Sequence, residues 1–66
     1  MEYLVRVVEF KEVREIVINA DDFAVYGNFV YFFVTKTAKD GEFLISNVAA
    51  FPADDILSIT TVVVAP

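Results

Sequence analysis

Residues 29–34, Phe-Val-Tyr-Phe-Phe-Val, constrain the fold more than any other segment, because all six are apolar. Side chains alternate between the two faces of a strand, so a strand with one buried face alternates apolar and polar residues. This segment is apolar on both faces. A chain of 66 residues has little interior in which to bury a second face. The strand is therefore either central and covered twice, or one of its faces awaits a partner.

The composition supplies apolar surface but none of the usual staples of a small domain. Hydrophobic residues make up 58% of the chain, which includes seven phenylalanines and three tyrosines but no cysteine and no histidine. Without cysteine there is no disulfide and no thiolate metal site. Without histidine the commonest metal ligand and the usual general base are missing. Stability is expected to come from apolar burial or self-association.

The charge balance disfavours two classes of partner. Ten acidic and five basic residues give a net charge of −5. Nucleic-acid binding depends on lysine and arginine meeting phosphates, and an anionic membrane surface attracts the same residues. The longest charge-free run, residues 23–35, is shorter than the ~20 residues of a spanning helix. Because Glu2, Arg6 and Glu9 interrupt the first apolar stretch, no signal peptide is indicated. We expect a cytoplasmic protein without membrane contact.

Runs rich in valine, isoleucine and aromatic residues predict strands. Turn signals separate them at Lys11-Glu12, Asp21-Asp22, Gly27-Asn28 and Asp40-Gly41. We predict a single all-β domain over residues 1–66, built of about five antiparallel strands. The β-like runs cover residues 3–10, 13–20, 23–26, 29–35, 42–48 and 56–64.

One face of the aromatic strand is assigned to the core and the other to a partner. The expected core consists of Val30, Phe32, Val34, Ile16, Ile18, Phe23 and Val25. The opposite face carries Phe29, Tyr31 and Phe33, and with Tyr26 these form the predicted interaction surface. The apolar C-terminal segment, residues 60–64, is a further candidate edge for self-association.

The pattern of elements resembles a small SH3-like barrel. The residues that carry the resemblance are the polar hairpin tip 36–41, the proline and acidic residues of 52–55, and the strand start 56–59. Proline and acidic residues favour the first turn of a helix. The resemblance implies a barrel-like domain with one short helical turn before the last strand. It implies no activity, because such barrels host many unrelated functions.

No arrangement of residues indicates catalysis, a metal or another cofactor. Asp21-Asp22 and Asp54-Asp55 are adjacent pairs without calcium-loop spacing, so turn and cap roles explain them. Ser46 and Ser58 lie in predicted strands, and no histidine is present to activate them. We therefore expect no catalytic residue, no metal site and no enzyme activity.

Three functions fit these constraints. The first is a protein-protein interaction module, expected to be a homo-oligomer and able to contact another protein. The second is a small acidic inhibitor, of the kind found in viruses and mobile elements, that mimics nucleic acid and blocks a nucleic-acid-binding host protein. The third is a small nucleic-acid-binding barrel that stacks bases on its aromatic strand, which the acidic charge disfavours.

Overall fold

Six antiparallel strands and one 3-10 turn make up the computed structural model, which describes residues 1–63. The strands are β1 (Glu2–Glu9), β2 (Glu12–Asn19), β3 (Asp22–Tyr26), β4 (Phe29–Thr37), β5 (Phe43–Pro52) and β6 (Ile56–Val62), and the turn is Ala53–Asp55. The all-β prediction is confirmed, with six strands instead of the expected five or so, and the predicted helical turn precedes the last strand. That strand was expected to extend to Val64, which lies outside the described residues.

The strands form two sheets of three, in the orders β2-β1-β6 and β3-β4-β5. We call them the first and the second sheet. The chain passes from one to the other at Ala20 and Asp21. Ala20 donates its N–H to the carbonyl of Met1 and Asp21 donates to that of Phe33, both at 2.9 Å. Hydrogen bonding therefore continues through the bend, although no ladder joins the sheets into a closed barrel among residues 1–63.

The core lies between the central strands β1 and β4. Val5 and Phe32 are completely buried, and the rings of Tyr3 and Phe32 have centroids 5.7 Å apart. Phe23 of β3 meets Tyr3 edge to face at 5.5 Å. The buried set is Tyr3, Val5, Val7, Ala20, Val30 and Phe32. Burying a large apolar side chain stabilises the fold by about 1.5–3 kcal/mol, so this set dominates the stability of the chain.

The predicted core is partly correct. Val30 and Phe32 are buried, and Ile16, Ile18 and Phe23 pack against the buried set. The assignment of Val25 to the core is wrong. Its side chain is 65% exposed, because β3 is an edge strand with no neighbour beyond it among the described residues. Val34 is only half-buried, since it lies opposite Ser46 beyond the end of β3.

The turn between β1 and β2 lies one residue earlier than predicted. Glu9 pairs with Glu12, so the loop consists of Phe10 and Lys11 alone. Both adopt left-handed backbone, with φ of 52° and 63°. Two-residue hairpins of this type favour asparagine and glycine, which tolerate positive φ, whereas other residues are strained there. Phe10 gains no compensating contact, because it is 91% exposed.

Replacing this turn by Phe10→Asn/Lys11→Gly is expected to stabilise the chain. Removing the strain should raise the free energy of unfolding by about 1 kcal/mol, which is about 4–8 °C in Tm for a domain of this size. Thermal unfolding at one fixed protein concentration measures the change. Phe10→Ala, which removes the ring but keeps the strained backbone, should leave Tm nearly unchanged. An unchanged or lower Tm for the double variant would show that the turn is not strained.

Candidate interaction surface

The side of the second sheet that faces away from the core carries all four predicted interaction residues. Register places Tyr26 of β3 opposite Phe29, and residues directly opposite each other share a face. Because side chains alternate along β4, Tyr31 and Phe33 lie on the same side as Phe29. The structure therefore brings the four residues together on the outer face of the second sheet.

Two further apolar side chains complete this face. Phe43 lies opposite Thr37 and Ile45 opposite Thr35, so both point to the same side as Phe29. They were missed from the sequence because β5 contains a bulge. Phe32 pairs with Ala49 and Phe33 with Asn47, so Val48 has no partner. The extra residue reverses the alternation of β5, and only the apolar run 43–45 hinted at it. We define the aromatic face as Tyr26, Phe29, Tyr31, Phe33, Phe43 and Ile45.

Much of the aromatic face is open to solvent. The exposed fraction is 80% for Tyr26, 65% for Phe43, 61% for Ile45 and 43% for Phe29. The rings of Phe29 and Tyr31 are tilted against each other with centroids 6.2 Å apart, so these two form a contiguous aromatic patch. Contiguous exposed apolar patches mark interaction sites in proteins.

The outer face of the first sheet is different. Arg6 lies opposite Glu15 and Ser58, and its guanidinium is 3.6 Å from the Glu15 carboxylate. Leu4 and Val17, which are paired, share this face with Glu2 and Asn19. Apolar side chains on this face are thus interspersed with charged and polar ones, which suits a sheet face in contact with water. The contrast between the two sheets makes the aromatic face the strongest candidate site.

Part of the β4–β5 hairpin extends beyond the end of β3. The last β3–β4 pair is Asp22 with Phe33, whereas the β4–β5 ladder continues to Thr37 with Phe43. We call this two-stranded extension the arm; it comprises residues 34–37 and 43–46. The arm is apolar on both sides, because Leu44, opposite Lys36, is 48% exposed and Ile45 on the other side is 61% exposed. Two-stranded ribbons are only marginally stable alone in water.

Asp21, in the bend between the sheets, is hydrogen-bonded to Thr35, near the start of the arm. Its carboxylate accepts hydrogen bonds from the Thr35 N–H at 2.7 Å and from the Thr35 hydroxyl at 3.2 Å. These two bonds, the backbone one first, hold the pKa of Asp21 below its ordinary value of 3.8. Hydrogen bonds to a carboxylate favour its charged form. The carboxylate therefore orients β4 where the arm begins.

A cavity of about 300 Å³ lies apart from the aromatic face. It is lined by Val7, Val8, Glu9, Phe51, Pro52 and Asp55. The Glu9 carboxylate is already engaged, since an Arg14 guanidinium nitrogen is 3.3 Å from it. The cavity contains none of the predicted site residues, and its two carboxylates are exposed. It offers no arrangement that indicates a reaction.

Two features of the described residues concern metal binding and membrane crossing. Within residues 1–63, no three histidine, cysteine or acidic side chains are placed to hold a metal ion. No helix in that range is long and apolar enough to cross a membrane. In comparisons with known proteins, no family model matched the sequence, no curated protein matched it, and no solved structure was significantly similar.

The Asp21 contact gives a prediction for acid stability. Because the pKa is lower in the folded chain, the stabilisation is complete above pH 3.8 and is lost as pH falls through the lower folded-state value. Asp21→Asn should therefore be less stable than the unmodified chain at pH 7, and the difference should shrink on acidification. Urea unfolding at pH 7 and pH 2.5 measures both effects.

The control is Thr35→Val, which removes the hydroxyl donor and keeps the stronger backbone donor. It should cause a smaller loss of the same sign at pH 7. A difference between Asp21→Asn and the unmodified chain that stays constant across this pH range would contradict the assigned role of the carboxylate.

Proposed function

We propose that the protein is a non-enzymatic protein-protein interaction module that self-associates through the aromatic face. The observation that carries this proposal is the position of Tyr26, Phe29, Tyr31 and Phe33 on one largely open sheet face, on the side of β4 away from the core. The second sheet has no layer over that face among residues 1–63. A second copy of the chain supplies such a layer and removes the exposed rings from water.

The accessible surface supports a partner of standard interface size. The surface is 5130 Å², whereas a monomeric protein of this mass exposes about 4,200 Å². The excess of about 900 Å² is close to the ~800 Å² that each partner buries in a standard interface. The radius of gyration of 13.6 Å likewise exceeds the ~10.8 Å of a compact domain of 66 residues.

The position of the charges favours a protein partner over nucleic acid. Lys36 lies opposite Leu44, on the other side of the sheet from Phe29, and the charged residue that shares the aromatic face is Asp22. Base stacking needs nearby cations that follow the phosphate backbone. The acidic-mimic function rests on net charge alone, because the acidic residues occur in both sheets. Both alternatives stay predictions.

For the fold we propose the finer description of a small SH3-like barrel, opened between β5 and β6. Two features support it. The bend at Ala20 and Asp21 carries hydrogen bonding from β2 into β3, so the two behave as one curved strand shared by both sheets. The 3-10 turn Ala53–Asp55 leads directly into β6, and the Ala53 N–H is bonded to the carbonyl of Asn28 at 2.8 Å.

The cytoplasmic location also stays a prediction.

Tyr26→Glu is the variant that tests the aromatic face most cleanly. Tyr26 is 80% exposed, so its replacement sacrifices little burial within the chain. A carboxylate on a face that a second copy covers would have to be desolvated without a partner. We expect self-association to weaken at least about tenfold, since a loss of 1.4 kcal/mol corresponds to that factor. Light scattering coupled to size-exclusion chromatography measures the mass.

The matched control is Val17→Glu, which places the same charge on the outer face of the first sheet, where Val17 is 59% exposed. It should leave the mass unchanged. Equal masses for Tyr26→Glu and the unmodified chain over a wide concentration range would eliminate the aromatic face as the interface. Circular dichroism of each variant confirms that the sheets have formed.

A further inference from the structure

The outer edge of β5 is the longest open strand edge among the described residues. β5 has β4 on one side and no strand on the other in that range. Its ten residues contain no charge, whereas the edge strand β2 contains Glu12, Arg14 and Glu15; β6 is also uncharged but has only seven residues. Natural proteins protect open edges with charged residues, proline, bulges or short length, because unpaired N–H and C=O groups attract another strand. In β5 the devices are Pro52 and the bulge at Val48, and residues 43–47 contain neither.

The arm is where this edge is least covered. Phe43, Leu44 and Ile45 are each at least 48% exposed. The inner part of β5 is different, since Ala49 and Phe51 pack against the core. The bulge at Val48 separates the two parts. The open segment of this edge is therefore residues 43–47, of which 43–46 belong to the arm.

We propose that residues 43–47 pair antiparallel with the same residues of a second copy, joining the two arms into a four-stranded sheet. The two-fold axis passes through the pair of Ile45 residues, so opposed side chains lie on the same face of the sheet. Phe43 then lies opposite Asn47 of the second copy, and Leu44 opposite Ser46. This inference rests on the proposed function, because it assigns a second contact to the same self-association.

Three observations support a second copy as the occupant. A two-fold contact requires a segment that is complementary to its own reverse, and a neutral strand meets this condition because no like charges become opposed. The excess surface of the chain, 5130 Å² against about 4,200 Å², is the area that one partner provides. The arm is a two-stranded ribbon, and the two strands of a second copy would make it four-stranded. A sheet needs at least three strands to be stable in water.

The charges at the two ends of β5 select the register. Glu42 directly precedes the strand, and Asp54 and Asp55 follow Pro52. Pairing over all ten residues would bring Glu42 beside Asp54 of the second copy. Parallel pairing would bring the two copies of Glu42 together. The pairing of residues 43–47 places Glu42 opposite Val48, so it avoids like-charge repulsion.

Paired cysteines test the contact and its register. The chain contains no cysteine, so the double variant Phe43→Cys/Asn47→Cys introduces the only thiols. Within one strand these positions are about 13 Å apart, too far for a disulfide, whereas opposed residues of paired strands are about 5 Å apart. Mild oxidation should convert most of the chains to a covalent dimer on a non-reducing gel.

The matched control is Val13→Cys/Val17→Cys on β2, an edge strand that carries charges, with the same spacing. It should stay mostly uncrosslinked. A covalent dimer no more abundant than in this control would overturn the proposed pairing.

A charge on the edge provides a second test. Ser46→Lys should weaken self-association at least about tenfold, because the two lysines would meet near the two-fold axis. Val17→Lys is its control on the charged edge strand β2, where Val17 is 59% exposed, and should leave the mass unchanged. Ser46 is exposed and lies opposite Val34, so the lysine side chain can remain in solvent in the single chain.

The results separate this inference from the proposed function. If the arm pairing is wrong and the aromatic face correct, Tyr26→Glu lowers the mass while Ser46→Lys does not and no disulfide forms. If the aromatic face is wrong and the arm pairing correct, Ser46→Lys lowers the mass, the disulfide forms, and Tyr26→Glu has no effect. A chain that stays monomeric at every concentration overturns both.

Discussion

The contact between β1 and β4 limits how much apolar surface this chain can bury. One face of each central strand is used in it, through Val5 and Phe32, which are completely buried. The edge strands contribute residues that only partly cover this layer. All six strands of residues 1–63 belong to these two sheets, so no third layer forms in that range. The opposite face of β4 therefore stays on the surface however well the core packs.

The two sheets meet this limit differently. The outer face of the first sheet mixes Leu4 and Val17 with charged residues, including the Arg6–Glu15 pair, and is suited to water. The outer face of the second sheet instead carries aromatic rings, and its hairpin continues into an arm that is apolar on both sides. Apolar side chains so placed gain stability only when another surface covers them. Self-association explains both features with one kind of partner.

Local signals in the sequence were sufficient for part of this fold. Gly27-Asn28 and Asp40-Gly41 lie in the two hairpin turns of the second sheet, with positive φ at both glycines. Strict alternation along β4 was enough to divide Val30 and Phe32 from Phe29, Tyr31 and Phe33. The division of the strand into a buried and an outer face followed from those two signals.

The remaining features depend on long-range pairing, which a local pattern does not encode. The bulge at Val48 brings Phe43 and Ile45 onto the aromatic face, and no turn residue marks it. The pairing of Glu9 with Glu12 forces Phe10 and Lys11 into left-handed backbone against their preference. Val25 has the apolar character of a core residue, but its strand lies at an edge. In each case tertiary register overrode local preference.

The central claim is that a second copy of the chain covers the apolar surface left over by the core. The molar mass of the unmodified chain, measured by sedimentation equilibrium over a hundredfold range of concentration, tests it most directly. The account predicts a concentration-dependent mass that reaches at least twice the 7.4 kDa of one chain. A mass of 7.4 kDa throughout that range, with the β-sheet spectrum intact, would contradict it.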